Sequence, residues 1–311
     1  MSDTSDSAMD GALLWAVLVT YRRPDHVRAM LTTLSTQTRA PDRLVVVDNG
    51  SGADVRALVE RTGVTYVDPG ENLGPAGGFA LGMTKVLAEA GPQDWILLVD
   101  DDDPPRSRDA LATLWSYGRR MCQSAKVGAV GLHGGDYDYR RGVFRRFEDA
   151  ELDGDVDVCV IAGGAHPLYR CRALREAGVM DASLFFGFEE GDLGLRLRAA
   201  GYRLLVPGEA AMRWRAQSGH LGIPSANVHT DPAKAPWRRY YSIRNSTILA
   251  RRYAKTWWAP LYVATGGAAK GLWHMVRTGR SPSAIFLAVR GAVDGLLGRR
   301  GRTINPLTST K

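Results

Sequence analysis

WILLVDDDDPP, residues 95–105, sets a short apolar run against four consecutive aspartates and a Pro-Pro stop. An apolar run of this length, closed by a turn signal, reads as a buried strand. Asp100, Asp101, Asp102 and Asp103 therefore stand at the carboxyl end of that strand. Like charges a few ångströms apart raise one another's pKa unless a cation neutralises them. Oxygen-only ligands at a strand end suit Mg²⁺ or Mn²⁺, which keep several waters and share one or two carboxylates with substrate phosphates. The competing reading is a solvated acidic turn, because aspartate is common in turns and Pro104 and Pro105 follow at once. Spacing alone does not separate the two.

Upstream, the same unit recurs. Leu13 to Thr20 is a strand-length apolar run that ends in a polar turn, Tyr21 to Asp25, before a helical pattern from His26 to Thr36. Leu44 to Val47 stops at Asp48, in DNGSG, and a helical stretch from Asp54 to Arg61 follows. Thr65 to Val67 is a third strand, and a helix from Gly77 to Glu89 leads into the quoted strand. Such alternation implies a Rossmann-like α/β sheet, mostly parallel, with ligands at the carboxyl ends of its strands. Asp48 and Asp100 both occupy such ends. Downstream, strands are expected at Val127 to Leu132 and Val156 to Ala162, separated by the charged, loop-rich YDYRRGVFRRFED of residues 137–149. A helix from Asp192 to Ala200 and a strand from Tyr202 to Val206 complete the pattern. Trp257 to Val276 and Ala284 to Leu297 are apolar but interrupted by charge, glycine and proline. They read as amphipathic helices rather than spans of about 20 apolar residues.

Composition narrows the partners. With 45% hydrophobic and 23% charged residues over 311 positions, the chain is globular rather than disordered or collagenous. The net charge of +7 suits an anionic partner. Basic residues thicken toward the C-terminus, at Arg238, Arg239, Arg244, Arg251, Arg252 and Lys255 and again at Arg299, Arg300 and Arg302. The carboxylates read as the chemistry and the basic end as an attachment face for an anionic membrane surface. The opening MSDTSDSAMD has neither a basic start nor an apolar stretch, which predicts a disordered segment over 1–11 and a cytoplasmic protein on the inner membrane face. Cys122, Cys159 and Cys171 lack metal-type spacing and read as thiols.

Taken in order, LVTYRRP (18–24), PDRLVVVDNGS (41–51), ENLGPAGGFALGM (71–83), WILLVDDDDPP (95–105) and FGFEEGDLGLRLRAAGY (186–202) resemble the family 2 glycosyltransferases. The resemblance implies a GT-A catalytic domain over 12–235, with a C-terminal amphipathic helical region over 236–300 and a tail over 301–311. By it, Thr20, Tyr21 and Arg23 lie beside the nucleotide, and Asp48 accepts a hydrogen bond from a pyrimidine base. The bare backbone of Asn72, Gly77 and Gly78 approaches the sugar diphosphate. Asp100 and Asp102 hold the metal, Asp101 is a spacer touching the sugar, and Asp103 belongs to the turn. Glu190, with Glu189 as second choice, deprotonates the acceptor hydroxyl, and Asp192 positions it. The implied reaction is a single displacement with inversion.

The extended NLGPAGGFALGM (72–83) looks most like the galactofuranosyltransferase branch, and rhamnosyltransferases share much of it. The expected donor is UDP-galactofuranose, with dTDP-rhamnose second, and the acceptor a polyprenyl-diphosphate-linked glycan of envelope assembly. Many relatives place a metal-completing histidine where this chain has Trp214; His220 lies six residues on. That departure keeps open a non-catalytic nucleotide-binding or membrane scaffold. Trp237 to Asn245 resembles the family's YY-x-x-RN segment, expected to contact diphosphate or lipid phosphate ahead of nucleic acid, with inward packing of Tyr240, Ile243 and Thr247 compatible with either. His26, His166 and His229 are assigned no chemistry.

Overall fold

The computed structural model describes residues 11–223, 235–278 and 283–305. The expected disordered N-terminus, apart from Gly11, most of the tail, and His229 lie outside them. The first half follows the strand–helix alternation. β1 (Leu14–Thr20) is buried at every position, α1 (Pro24–Ser35) opens on a proline, and β2 (Arg43–Asp48), α2 (Ala53–Glu60) and β3 (Thr65–Val67) follow. α3 (Gly74–Leu87) returns the chain to β4 (Trp95–Asp100), the quoted strand. These four strands are parallel, and their register sets Thr20 opposite Asp48 and Val19 opposite Asp100. The carboxyl ends are thereby level, and the polar turns after β1, β2 and β4 share one rim.

The second half departs from the simple pattern. After α4 (Ala110–Met121) and β5 (Val127–Val130), the charged segment expected as loop folds into a hairpin, β6 (Gly134–Asp138) and β7 (Val143–Arg146). The single strand expected over 156–162 breaks at Cys159 into β8 (Asp155–Val158) and β9 (Val160–Ile161). β8 joins the main sheet while β9 pairs with β6 in a small antiparallel sheet, so the break is where the chain changes sheets. β10 (Leu168–Arg170) enters between β4 and β5, antiparallel to both, and α5 (Cys171–Ala177) follows. α6 (Glu189–Ala199) begins three residues earlier than the pattern suggests, which makes Glu189 and Glu190 its first two residues. β11 (Arg203–Pro207) and α7 (Gly208–Gln217) close the sheet, in the order β3-β2-β1-β4-β10-β5-β11-β8.

Both faces of this GT-A, Rossmann-like sheet are covered, as a parallel sheet requires. On one face pack Phe79, Met83 and Val86 of α3, Leu174 of α5, and Leu193 and Leu197 of α6. On the other lie Met30 and Leu34 of α1, Val55 and Val59 of α2, Leu111 and Leu114 of α4, and Trp214 of α7. The C-terminal region is a helical layer of α8 (Pro236–Tyr253), α9 (Ala259–Thr278) and α10 (Ser283–Leu296). Phe286, Val289, Val293 and Leu297 form an exposed apolar stripe at i, i+3, i+7 and i+11, and Trp257, Leu261 and Tyr262 are exposed nearby in sequence. No helix among the described residues is long and apolar enough to cross a membrane.

Candidate active site

The four aspartates divide unequally. Asp101 is buried and accepts a hydrogen bond from Thr20 Oγ1 at 2.6 Å and another from Arg23 Nη1 at 2.9 Å. The same Arg23 nitrogen donates to Asp102 Oδ2 at 2.8 Å, on the exposed side of the run. Thr20 and Arg23 therefore fasten the turn after β4 to the turn after β1. Asp100 has no such partner among the described residues. Burial, then the negative charge of Glu190 and of the neighbouring aspartates, pushes its carboxyl up to about 7. Asp103 is also raised by burial, against the pull of Arg106 and His220.

The opposing wall comes from the first turn of α6. Glu189 is 4% exposed, and its Oε2 has no hydrogen-bond partner among the described residues. Burial first, then the Glu190 charge, holds Glu189 well above the ordinary carboxylate range. Burial raises Glu190 as well. Glu190 approaches Asp100 across Gly163, where a Cβ would stand 2.7 Å from Glu190 Oε1 and 3.4 Å from Asp100 Oδ2. A side chain at 163 would thus fill the space between the two carboxylates. Asp192, one turn further along α6, is used differently. It is fully buried and accepts from Arg196 Nε at 2.8 Å, from Tyr253 at 2.8 Å and from Arg252. These contacts fasten α6 to α8.

The expected nucleotide-side residues are largely engaged in shaping the rim. Asp48 is fully buried and accepts from the Gly50 and Gly52 amides, each at 2.9 Å, and from the Tyr66 hydroxyl at 3.1 Å. Its carboxylate builds the DNGSG turn. Asn72 accepts from the Gly74 amide at 2.8 Å. Gly77 and Gly78 lie inside α3 rather than in a loop, and a Cβ on Gly78 would meet Val19 at 2.7 Å and Asn49 at 2.9 Å. The small size of Gly78 brings α3 against β1, while a Cβ on Gly77 would meet Leu73 instead. Tyr21 is half-buried, with the Arg22 guanidinium over its ring. Among the described residues the non-glycine positions with positive φ are Arg22, Ser51, His166, Phe185 and Phe188, all outside the regular elements. Left-handed backbone at non-glycine positions costs roughly 1–3 kcal/mol and persists where surrounding contacts impose it, often at functional sites.

The YY-x-x-RN segment is not a phosphate contact. Arg244 is fully buried and donates to the carbonyls of Leu184 and Gly301, while Asn245 donates to those of Leu184, Phe186 and Gly187. Together they hold the loop that launches α6, and the Phe185 carbonyl of that loop accepts from the Ala76 amide at the start of α3. Inward packing of Tyr240, Ile243 and Thr247 is observed. Trp214 stands in α7, stacked between His133 at 5.3 Å and His220 at 5.4 Å. His166, to which the sequence pattern assigns no chemistry, is buried beside the cleft two residues after Gly164, whose Cβ would press on Asp103 Oδ2 at 2.5 Å. The signal available for it was the Gly-Gly pair at 163–164, which admits carboxylates where any side chain would exclude them.

Among the described residues no group of three or more His, Cys, Asp or Glu is arranged to hold a metal ion. Asp100 and Asp102 make two, the number of carboxylates that a magnesium-like ion takes when phosphates supply further oxygens. A family model described as glycosyl transferase family 2 matches residues 15–177. The chain is 32% identical over 291 residues to the galactofuranosyltransferase GlfT1 of Mycobacterium tuberculosis, covering 86% of this chain and 94% of that one. It is 25% identical over 302 residues to the N-acetylglucosaminyl-diphospho-decaprenol L-rhamnosyltransferase of the same organism, with the same coverage, 86% and 94%. Among solved structures, a mannosyltransferase from Pyrobaculum calidifontis, in complex with GDP-mannose and Mn²⁺, is similar with a TM-score of 0.56 at 17% identity, covering 92% of this chain and 87% of that one.

Proposed function

The chain belongs to glycosyl transferase family 2, and from that premise we propose that it transfers galactofuranose from UDP-galactofuranose to a polyprenyl-diphosphate-linked glycan, by one displacement with inversion. The observation that carries this reading is the convergence of Asp100, Glu189 and Glu190 at the carboxyl end of the sheet, with no arginine or lysine among the described residues pairing them. Carboxylates so placed raise one another's pKa, and a cation beside them would favour their charged forms. Asp100 and Asp102 would hold Mg²⁺ or Mn²⁺ with the donor diphosphate, and when bound the ion supplies positive charge to the departing phosphate oxygens.

Glu190 faces the cleft and takes the proton of the acceptor hydroxyl; Glu189, behind it, is the second candidate. Their raised pKa values bring a carboxylate toward the range in which a general base works near neutral pH. As the proton moves to Glu190, the hydroxyl oxygen bonds to the anomeric carbon and the sugar–diphosphate bond breaks on the opposite face. Asp192 keeps α6, and with it Glu190, in place. Arg23, tied to Asp101 and Asp102, stands where it can turn toward the diphosphate. The exposed stripe of α10, with the basic residues of the C-terminal region, supports seating on an anionic membrane face.

The 25% identical rhamnosyltransferase supports a second donor, dTDP-rhamnose. A panel of UDP and dTDP sugars with Mg²⁺ or Mn²⁺, scored by thermal shift and donor hydrolysis, separates the two. Stabilisation by UDP-galactofuranose is expected, and stabilisation by dTDP sugars alone would reassign the donor. Loss of both responses would favour the non-catalytic scaffold.

A further inference from the structure

A second polar cleft adjoins the first, on the far side of the Gly163–Gly164 turn. A Cβ on Gly163 would meet Glu190 and Asp100, one on Gly164 would meet Asp103, and the chain then reaches His166 in the wall of this second cleft. Arg106, Thr113, His166, Arg213, Trp214 and Gln217 line it around about 450 Å³ of space that includes the open mouth. Among the described residues no carboxylate lines it. Arg106 lies 3.8 Å from Asp103 and Arg213 3.7 Å from Glu209, both beyond hydrogen-bond distance, so each guanidinium keeps donors to offer.

One buried donor in the wall is unused among the described residues. Trp214 is 9% exposed and its indole N–H makes no hydrogen bond to them, although stacking on His133 and His220 fixes the ring. His166 is 3% exposed; burial lowers its pKa to about 4, partly countered by a hydrogen bond to the Pro104 carbonyl, so the neutral imidazole shapes the wall and adds no charge to it. Buried donors are normally satisfied, and an unused indole N–H beside two arginines calls for an oxygen-rich anion.

We propose that this cleft is a second phosphate seat, which takes the phosphate or diphosphate group of the acceptor while the donor diphosphate occupies the Asp100 and Asp102 side. The assignment to the acceptor rests on the glycosyltransferase reading; the anion seat itself does not. Gly163 and His166 are three residues apart, so the seat's wall stands at most about 11 Å along the chain from the Glu190 contact. A phosphate held here leaves the attached sugar portion within reach of Glu190.

The test is calorimetric titration of the full chain in EDTA-containing, metal-free buffer, first with inorganic diphosphate and separately with geranyl diphosphate. Binding of either is expected. Arg106→Ala and Arg213→Ala should each weaken it about tenfold, while stabilisation by UDP with Mn²⁺ stays as in the parent. Tighter binding of geranyl diphosphate identifies a lipid-linked head group as the occupant, and equal binding identifies the bare anion. In a transfer assay, Arg213→Ala should raise the acceptor KM and leave kcat and the donor KM in place. Absence of binding by both probes, full displacement of diphosphate by UDP, or undiminished binding by the double variant would overturn the seat. A chain that binds diphosphate in this way but transfers no sugar would instead remove the glycosyltransferase reading and keep the seat.

Discussion

Glu189 and Asp192 are buried and Glu190 half-buried within a single turn of α6, yet the surroundings of the two glutamates and of the aspartate are opposite. Asp192 receives Arg196, Arg252 and Tyr253. Glu189 and Glu190 receive no guanidinium and face Asp100, a third carboxylate. Folding alone would favour the first arrangement everywhere, since a buried charge is tolerated when it is paired and hydrogen-bonded. The unneutralised trio is therefore the part of the helix shaped by something other than stability, and the paired aspartate is what holds it there.

The largest separation between the two should come from Glu190→Gln. Amide replaces carboxylate at nearly constant volume, so the fold and donor binding are retained while the base is lost. Transfer should fall by about 10²–10⁴-fold, measured as kcat beside an unchanged UDP thermal shift. Transfer at the parent rate would remove Glu190 as base and bring Glu189→Gln forward. Asp192→Ala should do the reverse: it strands the Tyr253 hydroxyl and leaves Arg252 with Asp181 as its one carboxylate partner among the described residues, and should lower stability by about 2–4 kcal/mol in denaturant unfolding, a value discounted because Arg252 is a quarter exposed and keeps that partner. A neutral outcome would mean that the α6–α8 network is dispensable.

Smaller, and opposite in sign, is the effect expected of Asp100→Asn in metal-free protein. Asp100 is raised from 3.8 to about 7, so the folded state binds a proton more tightly than the unfolded state. Stability then falls as pH rises through that window and is regained on acidification. The variant should melt a few degrees higher than the parent at pH 7.5, with the gap closing toward pH 5 and metal-dependent stabilisation lost. At about 2–4 °C per kcal/mol for a domain of this class, the shift is readable by calorimetry. An unchanged melting temperature at both pH values would show that Asp100 carries no unrelieved charge.

How much of this contrast could be read from sequence follows from where the partners lie. β1 to β4, and the acidic run at the end of β4, are visible because a buried parallel strand is a contiguous apolar run and its end is marked by a polar turn. The family resemblance located Glu189 and Glu190, but local pattern started the helix at Asp192, because two glutamates and a glycine give no apolar periodicity. The positive φ at Phe188, which turns the chain into α6, is imposed by tertiary contacts. Beyond Arg196 at i+4, the partners of Asp192 are long-range, from α8 about 60 positions on, and those of Arg244 are carbonyls distant in sequence. No local signal encodes either, which is why the segment around Arg244 reads as a phosphate contact and folds as a brace. β8 and β9 read as one strand because apolar alternation continues through Cys159, and only sheet pairing shows the break.

The finest test of the contrast concerns the guanidinium that bonds two of the aspartates on the functional side. Arg23 bonds Asp101 and Asp102, but it is 43% exposed and Asp102 is 54% exposed, so solvent screens the pair and its contribution to stability should stay under about 1 kcal/mol. Arg23 is thus a weak stand-in for a cation, unlike the buried pairing of Asp192. Arg23→Gln removes a positive charge beside Asp102 and should tighten Mn²⁺ binding to the donor-free protein, by no more than about fivefold, while UDP binding in the presence of the metal weakens. Both readings come from titration calorimetry on one variant. If Mn²⁺ binding weakened instead, Asp102 would depend on Arg23 for its position rather than compete with it for charge, and the functional side of the comparison would have its own structural pair.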